Sequence, residues 1–372
     1  MEIYICRRGD NLHSLSRRFN ISAEKLMKVN GLESERLTAG LSLFIPSEGQ
    51  EPKKEIELCT EIRNNIPANE RKELLNKLCF AVSLSAHLSP DGGLTMESSP
   101  KSCIDEALSY GTVPLLGLYN LCPQGSYSGE LAHFAIKDEQ SREKLCRQII
   151  SAISESGAKG LYLEFCCLFP FDTKNYCCFI EKCSALCHQN GFYFLCSLVP
   201  PEFDPLSLEA VRCAGKYADR IALLAYDYSG ILNPPGAIAP LSRVRATIEY
   251  ALETVCHKKL LLCLSGTGLD WSLPWRYGSM ASPLSNLRAQ NLAAAMGSEI
   301  KFMPHEFFPS FSYIDLAGIK HRVCYEDVRS LNAKFRLCDE YALAGLWLKR
   351  RDRGFPPSEE LLDGLYSYKK YI

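Results

Sequence analysis

Residues 157–166 read GAKGLYLEFC, and from Gly160 onward this run is apolar enough to form a buried β-strand. Amphipathic helical patterns lie on either side of it, at 139–154 and 173–188. A buried strand between two helices is typical of the repeating unit of a parallel sheet. The stretch therefore predicts an α/β fold with helices packed outside a parallel sheet.

The same alternation continues through the chain after residue 55. Eight short apolar runs predict strands at 56–61, 78–84, 112–118, 160–166, 192–198, 220–226, 259–264 and 344–348. Helical patterns fit between most of them, for example at 240–254. Such an order predicts a closed (β/α)8 TIM barrel over residues 56–372, with its chemistry at the carboxyl ends of the strands. The segment at about 270–327 is too long for a simple crossover and has short strand signals, which predict a small α+β insertion between strands seven and eight.

The first 46 residues have a separate pattern of strand, helix, helix and strand. Ile3 and Ile5 alternate with polar neighbours, and so do the apolar residues of 41–45. Turn and cap residues at 9–11 and 30–31 delimit two short amphipathic helices between them. We predict a βααβ module at 1–46. Residues 47–55, SEGQEPKKE, lack apolar anchors and predict a linker.

This N-terminal module resembles the LysM family. The resemblance rests on YIC at 4–6, GDNL at 9–12, Asn30 and GLSLFIP at 40–46. It implies binding of an N-acetylglucosamine polymer, either peptidoglycan or a chitin-like glycan, in a shallow groove between two loops. The residues expected to line that groove are Gly9, Asp10, Asn11, Leu12, Asn30, Gly31 and Leu32. Several of them are also ordinary turn and cap residues, and that local role is compatible with binding.

The barrel resembles glycoside hydrolase family 18, and within it the branch that joins LysM modules to barrels cutting spore-cortex peptidoglycan. The motifs run in chain order: DGGL at 91–94, GAKGLYLEFC at 157–166, LAYDY at 224–228, PPGAIAPL at 234–241, DWSLP at 270–274 and YED at 325–327. The resemblance implies substrate-assisted hydrolysis, in which a glutamate on strand four protonates the glycosidic oxygen and the acetamido group of the sugar attacks the anomeric carbon. It implies no cofactor and no metal.

The acidic signature on strand four is damaged in this sequence. Its successive positions hold Lys159, Tyr162, Glu164 and Cys166, with Cys166 where the catalytic glutamate is expected. A thiol, with a pKa of about 8.5, is poorly matched to protonating a glycosidic oxygen. Glu164 is expected to face the same interior, but about 6 to 7 Å too deep along the strand. The barrel is therefore predicted to be inactive or impaired.

Other candidate cleft residues follow from the same resemblance. Tyr226 and Asp227 occupy the positions that contact the acetamido group in the family. The alternative for Tyr226 is a buried core tyrosine whose hydroxyl is hydrogen-bonded. Lys349 stands where the family carries a tryptophan at the end of strand eight, and Trp347 lies one pleat earlier as a core residue or a sugar platform. We also place Tyr162 and Trp271 in the candidate cleft, with rim packing as the alternative for Trp271.

The net charge and the apolar content of the chain restrict the classes of partner that we expect. The formal net charge of -1 gives no reason to expect nucleic acid, and the chain contains no apolar run long enough to enter a membrane. The N-terminal residues lack a secretory-signal pattern, so we expect synthesis in the cytoplasm and assembly onto a spore envelope. The 18 cysteines include no CxxC pair and are expected to be reduced and mostly buried.

These observations predict a glycan-binding protein of the cell wall or spore envelope with an inactive or impaired family 18 barrel. The first alternative is an active peptidoglycan N-acetylglucosaminidase in which a rearranged strand brings Glu164 to the acid position. The second is a cysteine-rich protein that is cross-linked to spore-coat proteins or that carries a thiol or metal site near Cys166 and Cys167.

Overall fold

The computed structural model describes residues 1–46, 53–62, 66–96, 101–123, 125–200, 202, 208–349 and 354–371. Its N-terminal module consists of β1 (Glu2–Ile5), α1 (Leu12–Phe19), α2 (Ala23–Asn30) and β2 (Ser42–Ile45). The two strands pair antiparallel. Asn11 caps α1 through Ser14, and Gly31 ends α2 in the left-handed conformation that glycine accepts. The predicted linker at 47–55 lies mostly outside the described residues.

Strands and helices then alternate up to residue 265. In chain order they are β3 (Lys54–Glu61), α3 (Ala68–Leu75), β4 (Phe80–Leu88), β5 (Leu94–Met96), α4 (Lys101–Ser109), β6 (Val113–Tyr119), α5 (Gly129–Ile136), α6 (Glu139–Ser156), β7 (Gly160–Glu164), α7 (Thr173–Gln189), β8 (Tyr193–Leu198), α8 (Leu208–Tyr217), β9 (Arg220–Leu224), α9 (Leu241–Leu252) and β10 (Leu260–Ser265).

An insertion follows, and the chain then returns to the barrel. The insertion contains β11 (Thr267–Leu273), β12 (Ser282–Ser285), α10 (Asn286–Met296), β13 (Lys301–Met303), β14 (Phe308–Ile314) and β15 (Lys320–Cys324). The remaining elements are α11 (Val328–Glu340), β16 (Gly345–Lys349), α12 (Pro356–Leu365) and β17 (Tyr366–Tyr368). No helix in the described part of the chain has both the length and the apolar surface to cross a membrane.

The predicted TIM barrel is confirmed. Eight strands pair in parallel in the order β3, β4, β6, β7, β8, β9, β10 and β16, and β16 pairs back with β3. Every residue of β6 is buried, because its outer face packs under helices and its inner face fills the barrel. At the amino end of the barrel, Arg220 donates two hydrogen bonds of 2.7 Å to the buried Glu57.

The insertion is built around a five-stranded antiparallel sheet in the order β12, β11, β15, β14 and β13. The sequence indicated short strands within β13, β14 and β15, but β11 and β12 were not anticipated. One face of this sheet contributes Phe311, Val323 and Tyr325 to an apolar core shared with Leu12 and Leu43 of the N-terminal module. The module therefore packs directly against the insertion.

Hydrogen bonds fasten the α2–β2 loop of the module to α10 and the residues after it. Asn291 donates from Nδ2 to the Gly31 carbonyl at 2.9 Å and accepts from the Glu33 amide at 3.1 Å. Further along the loop, Thr38 donates to the Ser298 carbonyl at 2.7 Å. These contacts fix the orientation of the module on the barrel.

Candidate active site

The carboxyl ends of four barrel strands bring polar side chains together at the barrel mouth. Glu61 ends β3, Tyr119 ends β6, Glu164 ends β7 and Lys349 ends β16. Because all eight strands are parallel, these chain-distant residues meet at one end of the barrel. Tyr162, on β7, and Tyr127, in the loop after β6, complete a group that we call the Lys349 cage.

Lys349 bridges two carboxylates inside this cage. Its ammonium group lies 2.6 Å from Glu61 Oε1 and 2.8 and 2.7 Å from the two oxygens of Glu164. It also lies 5.6 Å from the ring centroid of Tyr119, whose hydroxyl donates to Glu61 at 3.1 Å. Burial disfavours the charged amine, but the charges of Glu164 and Glu61 outweigh it and hold the pKa of Lys349 above its usual value.

Glu164 is fully buried, with 0% of its side chain exposed. Besides Lys349, it accepts hydrogen bonds from the hydroxyl of Tyr162 at 2.5 Å and from that of Tyr127. Burial, and after it the Glu164 charge, raises the pKa of both tyrosines, so both phenols stay protonated and donate. Among the described residues, Lys349, Tyr127 and Tyr162 all donate to Glu164, and both of its oxygens act as acceptors.

Cys166 does not lie on a strand, because β7 ends two residues earlier than the sequence predicted. The side chain of Asn120 takes the place of further strand pairing: its Oδ1 accepts from the Cys166 amide at 3.0 Å and its Nδ2 donates to the Cys166 carbonyl at 2.7 Å. The thiol is buried in the apolar barrel interior. The next residue, Cys167, is exposed and has a φ of 57°, a left-handed conformation that is uncommon outside glycine.

Tyr226 and Asp227 follow β9, which ends at Leu224 rather than at the predicted residue 226. Tyr226 is half-buried and packs against the barrel interior. Burial, followed by nearby acidic groups that include Glu164, raises its pKa. Asp227 is exposed and has a φ of 61°, a left-handed conformation that is uncommon outside glycine. Both residues therefore lie at the mouth, beside the cage.

The assignment of Tyr162 and Trp271 to an open sugar cleft is wrong. Tyr162 is fully buried and stacks on Trp347, with ring centroids 4.3 Å apart. Trp347 is fully buried too, as expected for a core residue. Trp271 is buried between the insertion sheet and the loop after β9, where its Nε1 donates to the Asn233 carbonyl at 2.8 Å. Each ring fills apolar space inside the protein, so none presents a face to a ligand.

The predicted LysM groove is contradicted on one of its two sides. Asn30 is fully buried: its Nδ2 donates to the carbonyls of Leu26 and Phe44 at 2.9 Å, and its Oδ1 accepts from the Phe44 amide. Leu32 is buried as well, and the carbonyl of Gly31 is bound by α10. These residues hold the module together and dock it on the barrel insertion. The insertion thereby occupies the surface that a ligand would otherwise contact.

The other side of the predicted groove remains on the surface. Gly9 and Asn11 are exposed, whereas Leu12 belongs to the core. The carboxylate of Asp10 accepts from the Tyr4 hydroxyl at 2.8 Å and from the Arg7 amide at 2.7 Å, and it thereby shapes the loop. Of the residues proposed for glycan contact, this first loop is the accessible part.

Three members of the cage were not anticipated from the sequence: Glu61, Tyr119 and Tyr127. Glu61 carried a usable signal, since an acidic residue that ends a buried barrel strand lies at the functional face. Tyr127 lies in a loop, and nothing in the local sequence directs its hydroxyl to Glu164. Among the residues that the structure describes, no group of three His, Cys, Asp or Glu side chains is arranged to hold a metal ion.

Comparison with known families gives two matches. Residues 125–353 match the family described as glycosyl hydrolases family 18. Residues 4–46 match the LysM domain. The first match spans more than half of the chain and includes the cage residues Tyr127, Tyr162, Glu164 and Lys349.

Individual relatives resemble the chain over its whole length. It is 26% identical over 429 residues to the cortical fragment-lytic enzyme of Bacillus subtilis (strain 168), covering 100% of this chain and 99% of that protein. It is 25% identical to the cortical fragment-lytic enzyme of Bacillus anthracis, covering 97% of each. The crystal structure of the spore cortex-lytic enzyme SleL from Bacillus megaterium QM B1551 superimposes with a TM-score of 0.88 at 21% identity, covering 100% of this chain and 99% of that one.

Proposed function

Because this chain belongs to glycosyl hydrolases family 18 and carries a LysM domain at its N-terminus, we propose that it binds an N-acetylglucosamine-containing glycan without cutting it efficiently. The ligand is peptidoglycan or a chitin-like polymer. The barrel contributes a binding surface and has lost most or all of its hydrolytic activity.

The state of Glu164 carries the proposal of lost activity. A general acid must be protonated, and it must reach the glycosidic oxygen to within hydrogen-bond distance. Glu164 is the acidic residue nearest the expected acid position, yet it is buried and accepts from Lys349, Tyr127 and Tyr162. An ionised carboxylate surrounded by donors supports a structural role. Loss of a general acid costs about 10² to 10⁴-fold in rate.

Binding is supported by what remains at the surface. Tyr226 and Asp227 stay at the barrel mouth, where they are available to an acetamido group. In the LysM domain we propose that the exposed loop around Gly9 and Asn11 makes the glycan contact, since the opposite loop is fastened to α10. Relatives that are named for lysis of cortical fragments support a place on the spore envelope, where spore-coat proteins are proposed partners.

The activity proposal is tested by assaying the purified full chain on N-acetylglucosamine oligomers and on cortex fragments. We expect no detectable turnover by the wild type. The double variant Glu164→Asp, Cys166→Glu restores the acidic pattern of the family and removes the long carboxylate from the cage, so it should recover measurable hydrolysis. The two single variants are the matched controls, because each restores only one position.

The contrary result is equally specific. Robust turnover by the wild type that disappears in Glu164→Gln would overturn the proposal and would establish an active N-acetylglucosaminidase with a displaced acid. Binding is measured separately, by sedimentation of the full chain with insoluble peptidoglycan or chitin. If the full chain sediments with neither polymer, glycan binding is removed from the proposal.

A further inference from the structure

A group of exposed phenylalanines lies beside the barrel mouth. Phe169 and Phe171 stack with ring centroids 5.1 Å apart and an interplanar angle of 19°. Phe171 is 69% exposed, and Phe134 on α5 and Phe169 are each 37% exposed. Phe134 joins this pair through His133, whose ring centroid lies 5.7 Å from that of Phe134 and 6.5 Å from that of Phe169. An exposed apolar patch of a few hundred Å² is often a functional surface. We call these three rings and the neighbouring His133 the phenylalanine platform.

His133 gives the platform one oriented polar atom. Its Nδ1 lies 2.9 and 3.0 Å from the two oxygens of Asp172, a carboxylate with no exposed surface. Since a carboxylate only accepts, Nδ1 carries the proton, and the ring is oriented with Nε2 as its remaining polar atom. The imidazole also meets the Phe171 ring edge to face, with centroids 5.5 Å apart. The buried Asp172 thereby holds a half-exposed imidazole against an exposed aromatic face.

The platform and the Lys349 cage belong to one wall of the barrel mouth. Tyr127, which donates to Glu164, lies two residues before α5 begins at Gly129. Gly129 packs closely on the turn after β7: a Cβ at this position would lie 2.3 Å from the Cys167 carbonyl oxygen and 3.4 Å from Cζ of Phe169. The start of α5 and the turn after β7 therefore connect the platform to the cage.

The size and chemistry of the platform fit a sugar better than a protein. With exposures of 37 to 69% and roughly 200 Å² per side chain, the three rings offer about 300 Å² of apolar surface. A standard protein interface needs about 800 Å² on each partner. A pyranose ring has an apolar C–H face, which stacks on aromatic rings, and hydroxyl groups around its edge, which both donate and accept and can therefore hydrogen-bond to His133 Nε2.

We propose that Phe134, Phe169, Phe171 and His133 form a sugar-binding subsite for the N-acetylglucosamine-containing glycan, outside the cage and on the same face of the barrel. This inference rests on the proposed function and adds a second contact, on the barrel, to that of the LysM loop. In this arrangement the glycan lies across the barrel mouth, with one ring seated on Phe171.

The inference is tested with the full chain and a soluble N-acetylglucosamine pentamer. We expect Phe171→Ala to weaken the Kd measured by titration calorimetry about tenfold, the effect of about one lost stacking contact. Phe171→Tyr keeps an aromatic face and should bind within about threefold of the wild type. The matched control is Tyr277→Ala, because Tyr277 is an aromatic side chain on the insertion that is 98% exposed, and its removal should leave the Kd unchanged.

Hydrogen exchange locates the contact independently. The pentamer should slow exchange of the amides in α5 and in the segment 166–173. Unchanged affinity in Phe171→Ala, with protection confined to the LysM loop, would overturn the subsite and leave glycan binding by the protein intact. Absence of binding to the pentamer and to both insoluble polymers would overturn the proposed function and the subsite with it.

Discussion

Replacing Lys349 by methionine should strongly destabilise the barrel and make its stability depend on pH. The ammonium group is the cation between Glu61 and Glu164, which it contacts at 2.6 to 2.8 Å. Methionine is unbranched and only one heavy atom shorter than lysine, so the change mainly removes the charge. The carboxylates of Glu61 and Glu164 would then lie close together without a cation between them. Glu164 has no exposed surface, so water cannot replace the lost ammonium group there.

The expected magnitude follows from that burial. Removing one partner of a buried ion pair typically costs about 3 to 5 kcal/mol, because the remaining charge has lost both water and its counterion. In the variant, burial and mutual repulsion should raise the pKa of one carboxyl group above its unfolded value of about 4.3. The folded state then binds more protons than the unfolded state, so the free energy of unfolding falls as pH rises above about 4.3.

Urea unfolding between pH 4 and pH 8 measures both effects. The difference between wild type and Lys349→Met should be small near pH 4 and largest at neutral pH. Adding Glu164→Gln should recover part of the loss, since it removes one of the two stranded charges. Lys144→Met is the matched control, because Lys144 forms an exposed pair with Asp91. A pH-independent loss below about 1 kcal/mol would refute the buried cage, since that is the range of exposed ion pairs.

Three further outcomes are expected. Arg220→Met should lower the free energy of unfolding by about 3 kcal/mol, as measured with urea, because the buried Glu57 loses both hydrogen bonds from Arg220 and keeps only Tyr371 and the more distant Lys369. Gly31→Val would place a Cβ 2.6 Å from a methyl group of α10, at a backbone φ of 59° that valine rarely adopts. It should therefore loosen the LysM domain and speed hydrogen exchange in α2 and α10. Unchanged exchange would contradict the docking. A thiol reagent should label the exposed Cys167 and Cys256 first, as followed by mass spectrometry, and rapid labelling of the buried cysteines would contradict their burial.

The barrel was predictable because its signals are local. A run such as 160–164 is apolar along its whole length since both faces of a barrel strand are buried, and this can be seen without knowing the neighbours. The helices and the βααβ order of the LysM domain follow from periodicity and caps in the same way. The ends of the strands were predicted less accurately. β7 was predicted to reach Cys166, but the side chain of Asn120, which follows β6, hydrogen-bonds to the backbone of Cys166 instead.

The site was only partly predictable. The sequence indicated that the acid position is occupied by Cys166 and that Glu164 faces the interior, since alternation along a strand sets the direction of side chains. It did not indicate what Glu164 meets there. Tyr127 and Glu61 lie 37 and 103 positions away along the chain, and a pattern of residue types carries no information on distances across the barrel. The docking of the α2–β2 loop on α10 could not be predicted for the same reason.

The class of most elements and the closed barrel with its N-terminal module were readable from the sequence, and so was the prediction that Cys166 stands at the acid position, because these depend on residue type and on spacing along the chain. Tertiary structure alone decided that Lys349 pairs with both Glu164 and Glu61, that the α2–β2 loop docks on α10, and that Phe169 and Phe171 stack in the open. Ion pairs, docking and ring stacking depend on distances of a few ångströms between residues that are remote in the chain, and those distances exist only once the barrel has closed.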